Sequence, residues 1–143
     1  MLSNPTIDEV DLRILKHLLQ DASQSYKAIG QLVHMTGQAV GARVRKMQDL
    51  GVIEGTTLRW NPDKIGQAVH AFVTVFLTSN TAHQSFQAFA AQSEQVAEVH
   101  RVSGEGCYWL RVRVGSPLEL NDFLDRLLKY GNYKLSMSIG QIK

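Results

Sequence analysis

The sequence predicts an α+β protein in two parts, one helical and one in which strands alternate with helices. Three observations carry that expectation. As far as Asp49, the apolar residues recur at helical spacing. From Ala68 onward, runs rich in β-branched and aromatic residues, such as AVHAFVTVFLT (68–78) and CYWLRVRVG (107–115), are separated by stretches of helical periodicity. Between the two parts, NPDKIGQ holds turn formers and no apolar run. The chain therefore divides into residues 1–60, a hinge at 61–67 and residues 68–143.

The first part reads as three helices. Asp8 can cap the first, and Asp11 three residues on favours the positive end of the helix. Val10, Ile14 and Leu18 follow at spacing four, with Leu15 and Leu19 beside them, and Gln20-Asp21-Ala22-Ser23 closes the helix. Ser25 caps a shorter second helix with apolar positions Ile29, Leu32 and Val33. Gly30 in its middle costs about 1 kcal/mol against alanine, which a close helix crossing would offset. His34-Met35 makes a tight turn, and Thr36 caps a third helix within HMTGQAVGARVRKMQDLGVI (34–53). At about 100° per residue, Val40, Val44 and Met47, with Leu50 nearby, gather on the core side. Gln38, Ala42, Arg45 and, at the edge, Lys46 face the other way, with Gly41 and Arg43 on the flanks. Gly51 stops this helix, and VIEGTTLRW (52–60) reads as a short strand or wing. The arrangement is a winged helix-turn-helix.

The third helix is slim and cationic on its outward side, as a helix must be to enter the major groove of DNA. Gly41 and Ala42 permit close approach, Gln38 reads a base edge, and Arg43, Arg45 and Lys46 supply charge. Residues 22–48 hold Lys27 and these three cations but no Asp or Glu, the local pattern of a polyanion-binding patch. With Thr36 at the helix start, the expected DNA-binding set is Thr36, Gln38, Ala42, Arg43, Arg45 and Lys46. The alternative is an ordinary solvated helix face.

In the second part, the strand at 68–78 puts Ala71, Val73, Val75 and Leu77 on one face and Phe72 and Phe76 on the other. A helix over 82–93 turns Phe86, Phe89 and Ala90 inward. Strands follow at 98–104 and 107–115; the latter carries Tyr108, Leu110, Val112 and Val114 on one face and Cys107, Trp109, Arg111 and Arg113 on the other. Pro117 suits the first turn of a helix over 117–130 with the stripe Leu120, Phe123, Leu124, Leu127 and Leu128, ended by Gly131. A last strand, 133–142, alternates Tyr133, Leu135, Met137 and Ile139. Strand, helix, strand, strand, helix, strand is the ferredoxin-like βαββαβ order, with two helices on one side of a four-stranded antiparallel sheet. The other side, with Trp109 and Phe72 or Phe76, is left bare, so a second copy is expected to cover it. A homodimer also suits palindromic DNA half-sites.

Other classes fit poorly. Of 143 residues, 44% are apolar and 20% charged, as in a folded chain, and the net charge of +2 names no partner by itself. No apolar run approaches the roughly 20 residues of a membrane helix. MLSNPTIDEVD is acidic without an apolar centre, so no secretory signal is expected. A single cysteine, Cys107, excludes an internal disulfide and fits a cytoplasmic location. His17, His34, His70, His83 and His100 share no metal-ligand spacing, Cys107 has no evident activating partner, and no phosphate loop appears. Neither an enzyme nor a metal or cofactor protein is expected. The remaining rival is a ligand-sensing or scaffold oligomer that does not bind DNA.

The motifs together resemble the Lrp/AsnC (leucine-responsive, feast/famine) family of transcription factors, over about Ile7 to Lys143. IDEVDLRILKHL resembles its opening helix, ASQSYKAIGQLVHMTGQAVGARVRKMQDLGVI its helix-turn-helix, LRWNPDKIG its hinge and VSGEGCYWLRVRV its strand pair. The resemblance implies dimers through the sheets, often octamers of four dimers, and an amino-acid effector bound where dimers meet. Carried onto this chain, it marks Ser103, Gly104, Glu105, Gly106, Cys107 and Tyr108 as the effector cleft. Many members have Asp where this chain has Cys107, and a neutral thiol cannot hold an ammonium group as that Asp would. Glu105 could substitute; ligand-independent binding and a different ligand stand as alternatives.

Overall fold

Residues 7–143 are described by a computed structural model. The first six, part of the stretch on which the no-signal expectation rests, lie outside them. The chain forms two compact units, one running to Arg59 and one from Trp60 to Lys143.

The first unit holds α1 (Glu9–Gln20), α2 (Tyr26–Val33) and α3 (Gly37–Asp49). Each begins on the cap its sequence offers. The Asp8 carboxylate accepts the Asp11 amide at 2.9 Å while the Asp11 carboxylate accepts the Asp8 amide at 3.0 Å, a reciprocal capping box. Ser25 Oγ accepts the Ala28 amide and Thr36 Oγ1 the Ala39 amide. Ile14, Ile29, Val33, Val40, Val44 and Met47 form the core, flanked by Ile7, Val10, Leu15, Leu18, Met35 and Ile53. Leu19, Leu32 and Leu50, expected in the apolar stripes, are exposed, because three short helices bury a narrower strip than their sequence provides.

Gly30 is needed for a reason other than a helix crossing. The turn after α2 folds back on it: His34 is left-handed at φ 59°, and the Met35 amide donates to the Gly30 carbonyl at 2.8 Å. A Cβ at Gly30 would lie 2.3 Å from the Met35 carbonyl oxygen. The expected wing is absent. The Val52 and Ile53 amides return to the Met47 carbonyl, and from Glu54 the segment runs exposed without strand structure. A strand needs a neighbour to pair with, and among the described residues this segment has none.

The second unit opens with a 3-10 turn at Pro62–Ile65, capped by Asn61. Then come β1 (Val69–Leu77), α4 (His83–Gln92), β2 (Val96–Arg101), β3 (Tyr108–Val114), α5 (Pro117–Leu127) and β4 (Gly131–Met137). The antiparallel sheet has the order β2-β3-β1-β4, the ferredoxin-like arrangement. Its covered face packs Ala71, Val73, Val75, Tyr108, Leu110, Val112 and Val114 against Phe86, Ala90, Leu120, Phe123, Leu124 and Leu127.

Two expectations at the C-terminal end change. Gly131 does not stop α5 but opens β4, where a Cβ would lie 2.0 Å from the Phe76 carbonyl oxygen. The last strand ends at Met137, which leaves Ile139 in an exposed tail.

Gly30→Ala should destabilise the helical unit by about 1–3 kcal/mol, as forced overpacking does, despite alanine's better helix propensity. A urea titration checks this, and an unchanged or raised midpoint would contradict the backbone clash.

Candidate functional site

α3 is held on both flanks. On one, the α2 residue Tyr26 lies over Gly41, where a Cβ would come within 3.1 Å of the ring, and Gly37 sits 3.2 Å, by the same measure, from the Lys27 backbone nitrogen. Gly41 is therefore buried against α2. It does not slim the outward face, as the sequence suggested; the glycines make room for protein rather than for DNA.

On the other flank stand the cations. Arg43 Nη1 lies 2.7 Å from both carboxylate oxygens of Asp8 and 3.0 Å from Asp11 Oδ1. Lys46 Nζ lies 2.5 Å from Asp11 Oδ2. The Asp11 side chain is fully buried, the one buried charged residue among those described. Arg43 and Lys46 are thus partnered within the unit rather than presented to solvent as free charge. The signal for this was in the sequence: Asp8-x-x-Asp11 and Arg43-x-x-Lys46 share one helical spacing.

The Arg43 guanidinium, with the Asp11 amide, holds the Asp8 carboxyl down at about 2, from 3.8. Burial pushes the Asp11 carboxyl up, but hydrogen bonds from Lys46, the Asp8 amide and Arg43 outweigh it and leave the group below its ordinary value.

What remains outward on α3 is Gln38, Ala42, Arg45, Gln48 and Asp49, all exposed. A shallow groove runs past Ala42, Arg45, Lys46, Asp49 and Leu50. Thr36 is exposed, and its oxygen is committed as acceptor to the helix cap while its hydroxyl proton is left to donate.

The six expected effector residues do not converge. Gly104 and Gly106 take left-handed φ values of 93° and 79°. A Cβ at Gly106 would lie 2.5 Å from Thr74 Cγ2, and the Cys107 amide donates to the Val75 carbonyl at 2.7 Å, so the loop is pinned to β1. Ser103 and Glu105 are exposed, and Glu105 pairs with Lys134. Tyr108, however, is buried on the helix side, its hydroxyl 2.9 Å from His83 Nδ1 and accepting from Gln87 Nε2 at 2.7 Å. It anchors α4 to the sheet instead of facing the loop's surroundings. Cys107 packs at the margin of that same core, not beside Trp109 as strand alternation implied.

The sheet's other face carries the aromatics, partly screened. Phe72 stacks on Trp109 at 5.4 Å, with His70 and His100 against the pair. Glu98 joins Arg111 and His100, and Lys134 lies over Phe76. His70 Nε2 is buried without a hydrogen-bond partner among the described residues. Among those residues, too, no group of three or more His, Cys, Asp or Glu could hold a metal, and no helix is long and apolar enough to cross a membrane.

A helix-turn-helix followed by a βαββαβ unit with a pinned glycine loop is the architecture of a two-module, DNA-binding and ligand-binding regulator. Comparison with known proteins narrows the class. Residues 7–48 match the AsnC-type helix-turn-helix domain, and residues 70–143 match the Lrp/AsnC ligand binding domain. The chain belongs to the Lrp/AsnC family of HTH-type transcriptional regulators, a family of regulators rather than enzymes. The HTH-type transcriptional regulator LrpB of Bacillus subtilis is 43% identical over 137 residues, spanning 96% of this chain and 91% of that protein. LrpA of the same organism is 38% identical over 136 residues, spanning 94% and 99%. A transcriptional regulator from Neisseria meningitidis, solved as a complex with L-Met, shares the fold at a TM-score of 0.90 and 21% identity, over 96% of this chain and 93% of that one.

Both carboxyls of the α1–α3 cluster titrate lower folded than unfolded, so their contribution to stability is present above about pH 4 and lost as pH falls towards 2. The stability of Asp8→Asn relative to wild type should therefore be lowest near neutrality and converge on it below pH 3. Urea titrations across pH 2–7 check this; a pH-independent difference would contradict the ion pair.

Proposed function

We propose that α3 enters the major groove of DNA with Gln38, Ala42 and Arg45 foremost and Thr36 donating to a phosphate at the helix start, and that the chain acts as a cytoplasmic, oligomeric transcription regulator. One observation supports this above the rest. The exposed row of α3 carries only small and polar side chains, while both its flanks are occupied by the protein itself. Arg43 and Lys46 leave the set of direct readers and become supports. Residues 1–60, 61–67 and 68–143 serve as DNA-binding part, hinge and assembly part.

The proposed assembly is a homodimer through the aromatic sheet face, with four dimers making the octamer. The half-buried Phe72–Trp109 stack and the unpartnered His70 nitrogen favour a covered face. The proposed effector is an amino acid or related small ligand at the 103–107 loop. Glu105 and Lys134 set a carboxylate beside an ammonium there, a charge arrangement suited to a zwitterion. The neighbour solved with L-Met supports the ligand class.

Selection of bound fragments from genomic DNA, with and without an amino-acid pool, yields the operator and tests the effector. Binding should weaken steeply as salt rises, and an absence of duplex binding at low salt rejects the regulator reading. Arg45→Ala should make the salt slope shallower by about 1 per chain, and Gln38→Ala should cost about 1–3 kcal/mol of discrimination at one base pair. Trp109→Glu should lower the sedimenting mass by placing a charge in the interface; an unaltered profile would place the interface elsewhere.

A further inference from the structure

The buried carboxylate of Asp11 has no part in solvent chemistry and no access to DNA. Both its oxygens are engaged. Oδ1 takes Arg43, while Oδ2 takes Lys46 and the Asp8 amide. The two cations lie three residues apart on α3, on the flank turned towards α1. The apolar side of the same helix, Val40, Val44 and Met47, is held by packing, which is non-directional and tolerates small rotations. A charge-assisted hydrogen bond to a fixed carboxylate does not tolerate them, because rotation would strand a buried anion.

We propose that Asp11 is a positioning residue for DNA recognition: it sets the rotation of α3 about its own axis, and so the aim of Gln38 and Arg45, by holding Arg43 and Lys46. The role rests on the groove reading given above. It also sets a trade. Two cations on the α3 flank are withheld from phosphate in exchange for a fixed helix, so the chain gives up non-specific attraction and gains discrimination.

That trade gives a signature distinct from simple loss of structure. Asp11→Asn keeps the shape and can still accept the Asp8 amide, but it frees Lys46 and leaves Arg43 to Asp8 alone. In the full-length oligomer, binding to the selected operator and to random duplex of equal length is measured from low to moderate salt. Random-duplex affinity should be retained or raised, with a salt slope steeper by up to about 1 per chain as the freed Lys46 reaches a phosphate. The ratio of operator to random affinity should fall tenfold or more. A ratio within twofold of wild type overturns the proposal. So does an equal fall of both affinities at unchanged slope, which is what a merely structural role produces.

If Asp11→Asn does not fold, Arg43→Gln decides, since Asp11 then keeps Lys46. The ratio should fall at least threefold with the slope unchanged, whereas a slope shallower by about 1 with the ratio intact would show that Arg43 spends its charge on DNA and overturn the proposal. Wild-type protein that binds no duplex at low salt overturns the groove reading and this one with it. Normal wild-type discrimination matched by Asp11→Asn overturns the positioning role alone.

Discussion

One buried negative charge governs the helix-turn-helix. An isolated carboxylate taken out of water costs several kcal/mol unless its acceptors are filled. Asp11 meets that condition with Lys46, Arg43 and the Asp8 amide, groups drawn from α3 and from the start of α1. α1 and α3 therefore cannot separate without leaving the charge unpaired. On the opposite flank, Gly37 and Gly41 let α2 come so near that a methyl group would press on the Lys27 backbone or the Tyr26 ring. One flank is fixed by charge and the other by lack of volume. The exposed row between them is what neither flank uses.

The sheet unit divides its faces in a comparable way. The helix side is a closed apolar core in which the single deep hydroxyl, that of Tyr108, is satisfied by His83 and Gln87. The other side mixes rings with ions. Glu98 bridges from β2 to Arg111 on β3, and Lys134 covers the ring of Phe76. Trp109, with Phe72 and His100 packed against it, is less exposed than simple alternation along β3 implies. The face is neither plain apolar surface nor ordinary solvated sheet, and a complementary copy would meet both stacked rings and charges.

Much of the fold was legible because its determinants are local. Asp8, Ser25 and Thr36 cap the helices that they head, and period-two apolar runs became β1 and β3. What the sequence could not disclose depends on partners distant along the chain. A helical wheel places Gly41 and Arg43 on the flanks of α3 but cannot say that Tyr26 lies on one and Asp8 on the other. Strand propensity at 52–60 could not reveal that no neighbouring strand is present. Gly131 reads as a helix stop until the closeness of Phe76 is known. The same limit applies to the site. The exposed row Gln38, Ala42 and Arg45 and the inward side of Tyr108 were readable, whereas the matched spacing of Asp8-x-x-Asp11 and Arg43-x-x-Lys46 hinted at a pairing that only the α1–α3 packing fixes.

The charge balance of α3 bears on why assembly matters. Arg43 and Lys46 are offset by Asp8 and Asp11, and Asp49 lies one turn beyond Arg45 on the exposed row. On the proposed reading, α3 then brings on the order of one free cation to DNA, and each phosphate neutralised contributes a log-log salt slope of only about 0.9. A single helical unit would bind duplex weakly. Joining copies through the sheet, as proposed, would turn the second binding event into an intramolecular one, with a gain set by effective concentration rather than by new contacts. On that reading assembly would be the main source of affinity, and α3 the source of selectivity. A ligand that changes DNA affinity through assembly must have its own affinity changed by DNA by the same factor.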